Sequence, residues 1–97
     1  MLVMCAFIYC VELTEIVIPE SVTTIGEAAF LGCDKLTNIV IPKSITSIND
    51  NAFDKCTALT TVQYTGSEED WATLVTSVGE NNECLLNANI VYDYVAE

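Results

Sequence analysis

The sequence contains no histidine and no arginine, and its only cationic side chains are three lysines. Without histidine the most common general base and a frequent zinc ligand are missing, so catalysis would rest on scattered carboxylates. Fourteen acidic residues against the three lysines give a net charge of −11. Because such a chain repels phosphate backbones and anionic lipid, the composition argues against binding of nucleic acid or of a membrane surface.

Long apolar runs are also missing, since no stretch approaches the ~20 residues that cross a bilayer. We therefore expect no membrane insertion. The first ten residues are apolar, but they carry no basic leader and no small-residue cleavage site, so we expect no signal peptide. Phosphate-binding glycine loops and nucleophile elbows are missing too. The sequence thus predicts neither an enzyme nor a bound cofactor.

What the sequence does have is a repeat with a period of 23 residues. Residues 13–35 are LTEIVIPESVTTIGEAAFLGCDK, and residues 36–58 are LTNIVIPKSITSINDNAFDKCTA. At this spacing Leu2, Ala6, Phe7 and Cys10 also precede Ile25, Ala29, Phe30 and Cys33. Each unit is too small to bury its own apolar face, so stacked copies must share one core.

Each unit contains one predicted strand followed by a bend. The stretch Leu-x-x-Ile-x-Ile alternates at period two, which places Ile16 and Ile18 inward and Glu15 and Val17 outward. Stacking the units gives a parallel sheet of about four strands. We expect Gly26 and its counterpart Asn49 to adopt a left-handed or turn conformation. One short helical turn then fits over residues 27–30 and 50–53.

A C-terminal cap is predicted after the last repeat. Ser67 is the expected N-cap of a helix, with Asp70 three positions on and acidic residues where the helix dipole favours them. Trp71, Leu74, Val75 and Val78 form one apolar stripe, which ends at Gly79. Residues 89–92 should add a fourth parallel strand, because Ile90 and Tyr92 echo Val62 and Tyr64.

The units resemble the leucine-rich repeats of BspA-like bacterial surface antigens, whose pattern is similar to L-x-x-I-x-I-P-x-S-V-T-x-I-G-x-x-A-F-x-x-C. The match covers residues 2–64, and residues 64–92 resemble the closing segment common in that family. Val3 departs from the pattern by replacing the turn glycine. The resemblance implies an extracellular or cell-surface location and an adhesin-like role in cell contacts.

Together these features predict an α/β solenoid, a short leucine-rich-repeat stack with a helix-strand cap at its C-terminal end. The predicted single domain over residues 1–97 consists of a partial coil (1–12), two full repeats (13–35 and 36–58), a last repeat strand (59–66) and the cap (67–97).

Five cysteines raise the possibility of disulfides or metal. Cys10, Cys33 and Cys56 recur at the period, so they should stack ~4.8 Å apart with parallel side chains, whereas a disulfide joins facing side chains. We expect them to be buried and reduced. No C-x-x-C pair accompanies them, which argues against zinc. Cys5 and Cys84 lie outside this column, and either is a candidate reactive thiol.

The outward side chains of successive strands should form two columns, which are the predicted binding surface for an unidentified protein partner. The first column contains Glu15, Asn38 and Thr61, and the second contains Val17, Val40 and Gln63. The alternative is that these residues are only strand-compatible and solvated.

A second functional hypothesis concerns the N-terminal end, where Met1 falls in mid-coil. There Met4, Phe7 and Ile8 are candidates for self-association, giving a homo-oligomer or a structural terminal segment of a longer repeat array.

Overall fold

Two parallel sheets and two helices make up the described chain. The computed structural model describes residues 2–3 and 11–95. In chain order the elements are β1 (Leu2–Val3), β2 (Glu15–Val17), β3 (Thr24–Ile25), β4 (Asn38–Ile41), β5 (Ser47–Ile48), β6 (Thr61–Tyr64), α1 (Glu68–Val75), α2 (Glu83–Leu86) and β7 (Asn89–Val91).

The larger sheet has the strand order β2-β4-β6-β7, with every neighbouring pair parallel. Glu15 pairs with Asn38, and Asn38 pairs with Thr61, so both steps equal the 23-residue period. The next step, from Thr61 to Asn89, is longer because the helices intervene. The predicted parallel sheet of four strands is confirmed, including the strand contributed by the cap.

A second sheet, with the order β1-β3-β5, was not predicted. Its strands are two residues long, which is too short for an alternating pattern to be recognised in the sequence. In this sheet Val3 pairs with Ile25. The predicted alignment of Leu2 with Ile25 is therefore wrong by one residue, and Val3 does not replace the turn glycine.

The shared core lies between the two sheets and the turns that connect them. Phe30 and Phe53 stack with ring centroids 5.2 Å apart and ring planes at 12°. Both rings are almost fully buried, as are the equivalent alanines before them, Ala29 and Ala52. The Phe30 N–H donates to the Ala52 carbonyl at 2.8 Å, so backbone hydrogen bonds join the coils here as well as in the sheets.

The bend of each coil differs from its prediction in one respect. Gly26 begins a turn, because its carbonyl accepts from the Ala29 N–H at 3.2 Å. The left-handed residue, however, is Ala28 with φ of 59°, and its repeat equivalent Asn51 has φ of 62°. Of the left-handed or turn conformation predicted at Gly26 and Asn49, the turn is therefore confirmed, and the left-handed residue lies two positions later. The predicted short helical turns are hydrogen-bonded turns without a helix.

Helix α1 begins as predicted. The Ser67 hydroxyl accepts from the Asp70 N–H, and the Asp70 carboxylate accepts from the Ser67 N–H, each at 3.1 Å. This reciprocal capping accounts for the acidic cluster at the start of the helix. Trp71 and Leu74 are buried, which confirms the apolar stripe. The helix ends at Val75, so the prediction that it continues to Gly79 was wrong.

Gly79 has a different role, because it joins the cap to the second sheet. Its N–H donates to the Ile48 carbonyl at 2.7 Å, next to a parallel bridge between Ile48 and Val78. A Cβ added at Gly79 would come within 2.6 Å of the Asp50 backbone nitrogen. The cap therefore extends both sheets, and only glycine fits at this contact without displacing the coil before it.

Candidate functional site

The outward side chains of the larger sheet form two columns that run across all four strands. The outer sheet face is defined here as these two columns. The first contains Glu15, Asn38, Thr61 and Asn89, and the second contains Val17, Val40, Gln63 and Val91. Members of one column are register partners on neighbouring strands, about 4.8 Å apart. The six residues named from the sequence are thus brought together on one surface.

The exposure of this surface varies along each column. Glu15 is exposed and Val17 is 61% exposed, whereas Val40 is only 6% exposed. Asn38, Thr61 and Gln63 are half-buried. Val40 therefore offers little surface to a partner, although it was predicted as part of the binding surface.

A hydrogen bond crosses the two columns. The Asn38 Nδ2 donates to the Gln63 Oε1 at 2.9 Å. The Asn38 Oδ1 is buried and accepts no hydrogen bond. An unpaired polar atom in a buried position costs free energy, so a donor that reached this oxygen would be favoured.

Tyr94 completes the site and was missed by sequence reasoning. Its N–H donates to the Tyr64 carbonyl at 2.9 Å, and the preceding Asp93 N–H donates to the Gly66 carbonyl at 2.8 Å. These bonds hold the tail beside the end of β6, with Asp93 in the left-handed region at φ of 53°. The only sequence signal was an aromatic residue two positions beyond Tyr92, which is too weak to predict a site.

Tyr94 and the outer sheet face enclose a cleft of about 280 Å³. Its lining residues are Glu15, Ile16, Val17, Asn38, Val40, Gln63 and Tyr94. Five of the six residues predicted for the binding surface therefore line one cavity, and Thr61 does not.

The residues predicted for self-association, Met4, Phe7 and Ile8, lie outside the described part of the chain, as do Cys5 and Cys10.

Of the cysteines that recur at the 23-residue period, the structure describes Cys33 and Cys56. Both are buried as predicted. The Cys56 thiol donates to the Phe30 carbonyl at 3.1 Å. Burial raises the pKa of Cys56 to about 12; the charge interaction with Cys33 acts in the same direction, and a hydrogen bond to the Cys33 backbone opposes it in part. The thiol therefore remains protonated at neutral pH, as expected of a small apolar core residue.

Cys84 was predicted to lie outside this column, and its place relative to the column stays a prediction. The step from Cys56 to Cys84 is 28 residues, as is the step from Thr61 to Asn89, but the bridge between Ile48 and Val78 spans 30 residues. Cys84 also contributes to the raised pKa of Cys56, so the two thiols are neighbours. Cys84 is half-buried, whereas Cys56 is fully buried.

Native-state alkylation should distinguish these two cysteines. At pH 8 the thiolate fraction of Cys56 should be about a thousandfold below that of an unfolded cysteine, because its pKa rises from 9.0 to about 12. We expect iodoacetamide to label Cys84 first and Cys56 only after denaturation, as followed by peptide mass spectrometry. Equal labelling rates in folded and urea-unfolded protein would contradict the burial of Cys56.

Another cleft, of about 570 Å³, lies beside β5 and contains two carboxylates, those of Glu27 and Asp50. The Asp50 Oδ1 accepts from the Glu80 N–H at 2.8 Å, so this carboxylate holds the cap in place. Among residues 2–3 and 11–95 no three cysteine, aspartate or glutamate side chains lie close enough to hold a metal ion. No helix in the same residues has the length and apolarity to cross a membrane.

Comparison with known proteins gives one match. A family model described as "BspA type Leucine rich repeat region (6 copies)" matches residues 2–81. Neither the curated proteins nor the solved structures gave a match.

Proposed function

The chain belongs to the BspA-type leucine-rich repeat family. We propose that it is a short solenoid that binds a protein partner through its outer sheet face, without catalysis. The observation that carries the proposal is the pair of side-chain columns across four parallel strands in register. A rigid sheet presents these side chains in a fixed arrangement, which is how extended repeat surfaces bind other proteins.

The composition and the cavities support a role in binding over one in catalysis. The sequence has no histidine, and the two carboxylates of the 570 Å³ cleft belong to exposed residues on two different coils. The cleft on the outer sheet face contains a single carboxylate, that of Glu15. A general acid and base pair would need two such groups with separated pKa values.

The proposed setting is contact at a cell surface, in an adhesin-like role. This part of the proposal rests on the family alone, because a fold hosts many functions and does not specify one.

A charge-reversal pull-down tests the outer sheet face. The bait carries Glu15→Lys and Val17→Lys, two exposed positions on the first strand of that face. The matched control carries Glu20→Lys and Leu86→Lys, which are also exposed but lie outside the outer sheet face. We expect partners captured by the wild-type chain to be lost by the first variant and retained by the control, as quantified by mass spectrometry.

Unchanged capture by the double variant on the face would refute the proposal, and so would equal loss from both variants.

The second candidate function is structural, namely end-to-end association of the stack. It is favoured by the edge position of β2 within the described chain. Beside this edge Leu13 and Ile16 are half-buried, although their repeat equivalents Leu36 and Ile39 are fully buried. Exposed strand edges and apolar ends promote association. Light scattering of the same variants distinguishes the candidates, since a monomer at micromolar concentration excludes the structural one.

A further inference from the structure

We propose that the cleft between Glu15 and Tyr94 binds an arginine side chain of the protein partner. This inference rests on the proposed function, because the cleft is part of the outer sheet face. It adds the chemistry of the partner, namely a basic segment with an exposed arginine that enters the cleft while the flanking residues contact the two columns.

The charge of the cleft favours a cation. Glu15 supplies the only charged side chain in the lining, and none of the three lysines of the chain takes part. Within residues 11–95 no lysine forms an ion pair with Glu15, so its carboxylate can accept hydrogen bonds from a ligand. A chain with a net charge of −11 also attracts a basic partner at long range.

The spacing of the acceptors favours a guanidinium over an ammonium. Glu15 and Asn38 are register partners on neighbouring strands, which places their backbones about 4.8 Å apart. A guanidinium carries five N–H donors in a planar fork, so it can donate to both side chains at once, whereas an ammonium acts as a compact point charge. The planar group can also stack on the ring of Tyr94.

The apolar part of the lining fits the stem of the same side chain. Val17, which is 61% exposed, supplies aliphatic surface to this cleft of about 280 Å³. Arginine buries its methylene stem against such surface while its charged group reaches polar partners. The cleft thus matches both ends of an arginine side chain.

The unpartnered oxygen of Asn38 gives a third reason. Because Oδ1 is buried in the unliganded chain, the amide must turn about χ2 to meet a donor, and this turn breaks the hydrogen bond from Nδ2 to Gln63. Terminal amide torsions are broad, and the hydrogen bond gained at Oδ1 offsets the one that is lost. An arriving N–H would then satisfy an acceptor that has no partner at present.

A defined probe tests the inference without knowledge of the partner. N-acetyl-arginine amide carries the guanidinium and no other charge, and it can be titrated into ¹⁵N-labelled full-length chain while NMR spectra are recorded. We expect shifts at the side-chain amides of Asn38 and Gln63 and at the backbone of Glu15 and Tyr94. The lysine analogue should bind more weakly, and the neutral citrulline analogue should cause no shift.

Matched variants identify the groups responsible. Glu15→Gln should weaken binding of the arginine probe about tenfold, because a charge-assisted hydrogen bond is lost. Tyr94→Leu should weaken it about threefold, while Tyr94→Phe retains the ring and the affinity. The control Glu20→Gln removes an exposed acidic charge outside the cleft and should leave binding unchanged.

Shifts spread over the acidic surface, or equal weakening by Glu15→Gln and Glu20→Gln, would overturn the inference. A second outcome is that the probe fails to bind while the variant with Glu15→Lys and Val17→Lys still loses its partner in the pull-down. In that case the partner does not insert an arginine, but the outer sheet face is still its binding surface. If the probe binds and the pull-down is unaffected, the cleft chemistry stands and the proposed function fails.

Discussion

Replacing Phe53 with alanine should lower the free energy of unfolding by about 3–5 kcal/mol, which is the usual cost of removing a buried phenylalanine side chain. Phe53 is fully buried and stacks on Phe30 with centroids 5.2 Å apart. The substitution removes an apolar side chain from the core that successive coils share, and leaves a cavity between them. Because a domain of this size is stable by only about 5–15 kcal/mol, a large part of its stability should be lost.

Urea denaturation followed by circular dichroism measures this effect. Phe53→Leu retains most of the volume but not the ring pair, so it should cost much less than Phe53→Ala. Val17→Ala, at a 61% exposed position, serves as the surface control and should change stability by less than about 0.5 kcal/mol. A loss at Phe53→Ala no larger than that of the surface control would mean that the coils do not share a core.

The sheet could be predicted because its determinants recur at a fixed spacing. Ile16 and Ile39 occupy equivalent positions and become register partners in adjacent strands, so one period specifies both burial and pairing. Ile90 was placed opposite Val62 on the same grounds, although the cap lengthens the step between them. The alternation of apolar residues therefore predicts strand pairing even where the connection between two strands is longer than the repeat period.

The second sheet and the bends could not be predicted because their causes are not local. The left-handed conformation falls on Ala28, which has no intrinsic preference for it, while Gly26 two residues before does not adopt it. The hydrogen bond from the Ala28 N–H to the Asp50 carbonyl on the next coil forms at this bend. Contacts between coils, which no local pattern contains, select the backbone conformation.

Only those residues of the candidate site that recur at the 23-residue period were predicted. The predicted residues that line the cleft, the first of which is Glu15 and the last Gln63, lie on strands. The register of these strands brings them together. Tyr94 reaches the same cleft from a non-repeating tail, through hydrogen bonds to the Tyr64 and Gly66 region.

Asn82 is the polar residue that attaches the cap to the repeats, and only 1% of its surface is exposed. Its Oδ1 accepts from the Phe53 N–H at 2.9 Å. Its Nδ2 donates to the carbonyls of Asn49 and Gly79 at 3.0 and 3.1 Å. In the preceding coil the Phe30 N–H donates to a backbone carbonyl instead. The Asn82 side chain thus accepts the hydrogen bond that the backbone of a further coil would otherwise accept.

Asn82→Ala should therefore destabilise the chain by about 2–4 kcal/mol, because it leaves the buried Phe53 N–H and the Gly79 carbonyl without partners and removes one of the two hydrogen bonds to the Asn49 carbonyl. Asn82→Asp retains the shape and an acceptor for Phe53 but loses both donors, so it should be destabilising as well. The exposed Asn87, whose substitution by alanine should cost less than about 0.5 kcal/mol, is the matched control. Urea unfolding followed by the fluorescence of Trp71, the single tryptophan and a buried residue of the cap, measures the loss. Equal midpoints for the alanine variants at positions 82 and 87 would show that the Asn82 side chain does not stabilise the attachment of the cap.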